Sequence, residues 1–286
     1  MRFIVKILDF LVATNVYVAL AVASLTSVSL SFCDAQNYDF LYFVFFSTIF
    51  IYNFIRLVNV AYVPSELDSY RHHFIYKLRP FLWFFCIASA IAAFYFVIDV
   101  YRLVFYPMLL IVFISLAYGL PIYKKSEKWL RLRDVPGLKI FLIAYIWAWV
   151  TEGLPAVINT HNLDVLAFVE RFLFIFAITI PFDIRDLSFD DFNLATIPQY
   201  FGLRKAKWIG MIALLIAELI LAYRFFFESN LDLWGAIAIY LTYECSAFLV
   251  YKSHPKLQER FVTIGVEGMS ILMAVLYFSK DIILNQ

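Results

Sequence analysis

Charge is scarce in this 286-residue sequence: only 16% of its residues are Asp, Glu, Lys or Arg. Soluble domains carry about 25%, so 23 basic and 22 acidic side chains cannot cover a water-exposed globule of this length. A net charge of +1 excludes the global basic field that draws a protein to nucleic acid. The three cysteines, Cys33, Cys86 and Cys245, stand far apart and outside any C-x-x-C spacing, which leaves no disulfide framework or zinc site. Glycine and proline are also few, at 8 and 9. With no Gly/Ser linker, low-complexity tract or internal repeat, a single domain over residues 1–286 is expected. What the sequence has instead is apolar surface: 64% of residues are hydrophobic and 20% aromatic. That composition excludes disorder and points to an integral membrane protein in a lipid bilayer.

Nine stretches meet or approach the roughly 20 apolar residues a helix needs to cross a bilayer. They lie at about 7–31, 38–62, 81–99, 103–121, 140–158, 165–182, 208–227, 232–250 and 262–283. Runs such as residues 41–54, LYFVFFSTIFIYNF, do not alternate apolar with polar, so they are helices and not strands of a barrel. The first stretch starts beside Arg2 and Lys6 but runs well past the length of a signal-peptide core, and is expected to be a retained span. Most Lys and Arg fall at the N-terminus and in the gaps 63–80, 122–139, 183–207 and 251–261. The opposite side has only Arg102, Arg171, Arg224 and Lys280. By the positive-inside rule the N-terminus is expected inside and the C-terminus outside, in a bacterial cytoplasmic membrane. Asp9, Glu152, Glu218, Glu244 and Glu267 fall within spans, where a carboxylate is either functional or paired with a neighbouring helix.

The densest chemistry follows the sixth stretch, in PFDIRDLSFDDFN (181–193). Asp183, Asp186 and Asp190 stand at i, i+3 and i+7 and share one face if the helix continues through them. Such carboxylates repel unless a cation lies between them, and Mg²⁺ accepts carboxylates while keeping positions for water and phosphate. The alternative is a solvated acidic loop balanced by Arg185 and Arg204.

The segment DIRDLSFD (183–190), with Thr196-Ile-Pro198 and Phe201-Gly202 after it, resembles the second aspartate-rich motif of the UbiA superfamily of intramembrane prenyltransferases. Tyr118-Gly-Leu-Pro121-Ile-Tyr-Lys124-Lys125 is similar to that family's Tyr-Pro…Lys-Arg stretch, and Arg79-Pro80 resembles the pair that closes its first motif loop and opens the third helix. The resemblance implies an all-α, nine-helix bundle whose acidic motifs, after helices two and six, bind Mg²⁺ and an isoprenyl diphosphate at the cytoplasmic end. It further implies transfer of the isoprenyl group to a hydrophobic or aromatic acceptor. On this resemblance Asp183, Asp186 and Asp190 hold the metal, while Lys124, Lys125 and Arg79 contact the diphosphate.

The first motif departs from the family pattern. Around Tyr52-Asn53-Phe54-Ile-Arg56-Leu57-Val-Asn59, Phe54 and Leu57 stand where aspartates are expected. Either Glu66, near Asp68 in the following gap, replaces a metal ligand, or Asn53 and Arg56 keep a diphosphate contact without metal, or the motif has degenerated. Two other classes stay open: a non-catalytic UbiA-like isoprenoid-binding protein, and a polytopic transporter using the acids within the spans. Neither the acceptor, the prenyl chain length nor a protein partner is inferable from these residues.

Overall fold

The computed structural model describes residues 2–32, 37–62, 70–98, 101–125, 128–160, 162–188, 194–228 and 231–284. Among the described residues the apolar stretches are mostly helical. Seven helices are long and apolar enough to span a membrane among the described residues, an eighth is a bent pair, and Phe105–Gly119 is a shorter apolar helix. The chain is thus an all-α polytopic membrane protein. It divides into two compact units, residues 1–23 with 37–132 and residues 24–36 with 133–286.

The first unit begins with a broken helix. The expected continuous span at 7–31 is instead α1 (Arg2–Ala13) and α2 (Val16–Phe32), bent by 78°. The break sits at Asn15, whose φ of 59° is left-handed, a conformation Asn tolerates because its short amide can bond locally. Breaking a helix frees backbone carbonyls, and in a bilayer these need a protein donor. α3 (Tyr38–Tyr62) supplies it. Asn53 Nδ2 donates to Thr14 O at 2.9 Å, and Arg56 donates to Ala13 O at 2.6 Å and to Asn15 Oδ1 at 2.7 Å. Asn15 Nδ2 in turn donates to Asn53 Oδ1 at 2.9 Å.

α3 packs most extensively on α4 (Tyr70–Val97), around buried Leu57, Leu82 and Cys86 with Phe50, Phe54 and Trp83 against them. Arg79-Pro80 does not open this helix as expected. α4 runs through Pro80, whose fixed φ suits a helix and which removes one backbone bond. α5 (Tyr101–Gly119) ends where Asn59 Nδ2 reaches Gly119 O at 3.0 Å, and a Cβ at Gly119 would collide with Ile55. An antiparallel hairpin follows, β1 (Tyr123–Lys125) with β2 (Lys128–Leu130), in which Lys124 pairs with Trp129.

The second unit is built around α8 (Val165–Arg185), buried over most of its length. It is apolar on every side, as a helix surrounded by others must be. α6 (Leu138–Ala148), α10 (Leu203–Phe227), α11 (Leu233–Lys252) and α12 (Glu259–Leu284) pack on it. Lipid tails are as apolar as leucine, so close packing rather than water exclusion holds such helices together. α10 accordingly turns small residues inward, with Ala206, Gly210, Ala213 and Ala217 buried. A Cβ at Gly210 would come within 3.0 Å of Ile180 and 3.1 Å of Val250.

α6 passes through a π-helical turn at Trp149–Gly153 into α7 (Leu154–Thr160). A Cβ on Gly153 would strike the Trp149 ring. The turn carries Glu152, whose carboxylate accepts from Arg171 at 3.1 Å and from the Ser29 hydroxyl of α2. Next to Arg171, Glu170 accepts from Arg224 at 2.7 Å and from the Tyr243 hydroxyl at 2.7 Å. Arg224 also reaches Glu228 at 3.2 Å and Asp164, the N-cap of α8, at 3.6 Å. Arg171 and Arg224 are therefore buried within α8 and α10. Facing carboxylates hold them there.

Breaking such a pair leaves an uncompensated buried charge, whereas replacing both members with apolar residues does not. Arg224→Met is expected to destabilise the detergent-solubilised protein by about 3 kcal/mol or more, and Glu170→Leu with Arg224→Met to recover most of that loss. Tyr243→Phe, which removes one hydrogen bond, is expected to cost about 1 kcal/mol. Thermal unfolding of the four proteins checks the order.

Candidate functional site

The acidic segment begins inside α8 and ends outside it. α8 stops at Arg185, Asp186 is its C-cap with φ −82° and ψ 0°, and a single 3₁₀ turn follows over Asp186–Ser188. Asp183 therefore lies within the α-helix and Asp186 at its C-cap, so the helical face expected to run through both ends between them. Asp190 and Glu66 lie outside the described residues.

Asp183 is 1% exposed, and Lys139, in the first turn of α6, stands 2.9 Å from its Oδ1. Arg185 forks onto Asp186, with Nε 2.6 Å from Oδ1 and a terminal nitrogen 2.8 Å from Oδ2. Its other terminal nitrogen reaches the Thr263 hydroxyl of α12 at 3.4 Å, and the guanidinium lies 5.0 Å from the Phe182 ring centroid. Planar bidentate pairing of this kind fixes both partners more tightly than a single contact. Each carboxylate thus has its own cation.

Local backbone chemistry positions Lys139. Gly137, at φ 72°, starts α6, and its N–H donates to Leu194 O at 2.9 Å. Ala195 follows at φ 44°, a left-handed conformation that is strained for alanine. Thr196 then caps α9 (Ile197–Phe201), its N–H donating to Gln199 Oε1 at 3.0 Å with Pro198 in the first turn. Gly202, at φ 80° and ψ 162°, joins α9 to α10 in a conformation reserved for glycine. The Thr-x-Pro turn and Phe-Gly pair of the sequence therefore each have a conformational role at the mouth of α8.

The other sequence-derived candidates fall in the first unit. Lys124 is exposed on β1, Lys125 lies on the same strand but its side chain is not described, and Arg79 is half-buried on α4. Asn53 is fully buried, and its amide bonds Asn15, Thr14 and also Ile49 O at 2.9 Å. Arg56 is committed to Ala13 and Asn15. Phe54 and Leu57 fill the α3–α4 core, so packing now occupies the two positions where the family pattern has aspartates.

Sequence reasoning missed Lys139, whose only signal was its place at the edge of a basic gap, 44 residues before Asp183. Among the described residues no three His, Cys, Asp or Glu side chains group closely enough to hold a metal. The donor chemistry of Asp183 and Asp186 still fits Mg²⁺, which takes one or two carboxylates and completes its shell with water and phosphate oxygens. A metal held by these carboxylates would share the oxygens that Lys139 and Arg185 face.

No family model and no curated protein matches the sequence. Solved structures do match. A UbiA homologue from Archaeoglobus fulgidus aligns over 94% of this chain and 98% of its own, at a TM-score of 0.65 and 15% identity. The chain has the UbiA fold. The same homologue bound to GPP and Mg²⁺ aligns at a TM-score of 0.67 and 15% identity, and bound to DMAPP and Mg²⁺ at 0.65 and 14%. Each alignment covers the same 94% of the chain. Identity this low establishes the UbiA architecture alone, and the chemistry has to be argued from the site.

Three substitutions test the local assignments. Ala195→Gly relieves the left-handed strain and is expected to stabilise the protein by about 0.5–1 kcal/mol. Asn53→Ala strips partners from the α1–α2 break and is expected to cost about 2 kcal/mol, against less than about 0.5 for Lys124→Ala. Denaturation of the three variants in detergent reads both effects.

Proposed function

We propose that this protein is a membrane prenyltransferase of the UbiA kind, formed as one domain. It moves an isoprenyl group from its diphosphate to a hydrophobic or aromatic acceptor at a Mg²⁺-dependent site. The observation that carries the reading is a pair of carboxylates, Asp183 and Asp186, each matched to its own cation at one end of an apolar helix. The fold supports it, because the Archaeoglobus fulgidus homologue binds GPP and DMAPP with Mg²⁺. The excess of Lys and Arg in the gaps on this side supports a cytoplasm-facing site, with the N-terminus inside a bacterial cytoplasmic membrane.

Asp183, Asp186 and Asp190 would hold the metal. When bound, Mg²⁺ neutralises the phosphate oxygens and so makes diphosphate a better leaving group. Lys139 and Arg185 hold the carboxylates neutralised in the free protein. Standing beside these carboxylates, the same two side chains would offer positive charge to the departing diphosphate. Lys124, Lys125 and Arg79 are further diphosphate partners on the sequence resemblance. The apolar flanks of α8 keep water away from an allylic cation.

A second reading, an isoprenoid-binding protein without turnover, is favoured by one feature. Phe54 and Leu57 fill a packed core where a complete first motif would carry metal ligands.

Asp183→Asn, Asp186→Asn and Asp190→Asn are each expected to lower Mg²⁺-dependent diphosphate release from labelled geranyl diphosphate by about 100-fold or more, with the helical circular dichroism unchanged. Unchanged release in all three sinks the site. Saturable binding of geranyl diphosphate by the unmodified protein, without release, selects the second reading.

A further inference from the structure

Two carboxylates lie where neither the proposed chemistry nor the fold requires them. Glu218 is midway along α10 and Glu244 midway along α11, each about 14–17 Å from the end of its helix nearest the 228–232 connection at 1.5 Å per residue. That depth is the hydrocarbon core of a bilayer about 30 Å thick. Both point outward rather than into the bundle. α11 buries Ala238, Ile239, Thr242, Tyr243 and Ser246 on its inner side, while Glu244 is exposed on the opposite stripe with Ile237, Tyr240, Leu241 and Phe248. Glu218 is half-buried between exposed Leu215 and Leu219. α10 and α11 pack on each other, and Tyr240 stands one turn before Glu244 on the same exposed stripe.

Every other carboxylate described above within α6–α8 and α10 meets an arginine or lysine. Among the described residues neither Glu218 nor Glu244 has a cation within ion-pair distance. Mid-membrane acids facing lipid are expensive and pair with basic groups wherever one is offered. We propose that the outer face of α10 and α11 around Glu218, Glu244 and Tyr240 is a docking surface for a transmembrane helix of another protein. That helix carries a Lys or Arg near its middle.

Charge complementarity commits the surface to this occupant. A second copy of the same chain would bring four carboxylates together across a two-fold axis, because an isologous contact repeats the same patch on both sides. Lipid tails offer no counter-charge. The exposed Leu215, Ile237, Leu241 and Phe248 flank the acids and give a partner helix apolar surface to pack on. The inference is independent of prenyl transfer, since it uses no residue of the acidic motif.

The test places the full-length protein, donor-labelled at its C-terminus, in phosphatidylcholine nanodiscs. Acceptor-labelled poly-leucine transmembrane peptides are added, with or without one central Arg. Energy transfer is expected to show the Arg peptide binding about tenfold tighter than the leucine peptide. Glu218→Gln with Glu244→Gln is expected to remove that preference, at an unchanged melting temperature. Equal binding of the two peptides by the unmodified protein overturns the proposal, and this comparison stands even if the double variant does not fold. A preference for the Arg peptide that survives in the folded double variant also overturns it. So does self-association of the labelled chain that the double variant abolishes.

Discussion

The hydrocarbon of a bilayer offers no water to a carboxylate, a guanidinium or a free backbone carbonyl, so each must find its partner within the protein. The interior of this protein follows from that constraint. α8 shows it most fully, since it is apolar around its circumference yet carries Glu170, Arg171 and Asp183 in buried positions. Arg224, Glu152 and Lys139, from two other spans, satisfy them in turn. Remove those partners and the central helix carries charges that neither lipid nor its apolar neighbours can accept.

The same constraint accounts for the two irregularities in the spans. The break at Asn15 frees carbonyls at the end of α1, and Asn53 and Arg56 of α3 are turned inward to meet them. The π turn at Trp149–Gly153 adds a residue to one helical turn and carries Glu152 to Arg171. In both cases a departure from regular helix geometry comes with a polar side chain from elsewhere in the same unit. Asn53 and Arg56 thus have a structural task at the break.

Much of the architecture was legible in the sequence because it is written locally. Apolar run lengths marked the seven helices long enough to span a membrane, and the spacing of DIRDLSFD drew attention to the end of α8. The Thr-x-Pro turn and Gly202 were visible for the same reason, since capping and left-handed conformations depend on residues a few positions apart. Expectations that required knowing which helices are neighbours fared differently. Arg171 and Arg224 lie within apolar stretches, and nothing along the chain names the carboxylates that hold them. Lys139 was one of many lysines in a basic gap until α6 was seen to start against Asp183.

The sequence by itself determined that the chain is a bundle of membrane helices with an acidic motif at the end of the sixth stretch. Composition and short-range spacing suffice for that, since a bilayer selects helices by length and apolarity alone. Only the tertiary structure decided which charge neutralises which, that Asp183 is held by Lys139 and Asp186 by Arg185, and that Phe54 and Leu57 belong to a packed core. Ion pairing and packing act through space over a few ångströms, between residues that the chain separates by as many as 142 positions, as in Ser29 with Arg171. No periodicity along a sequence encodes that distance.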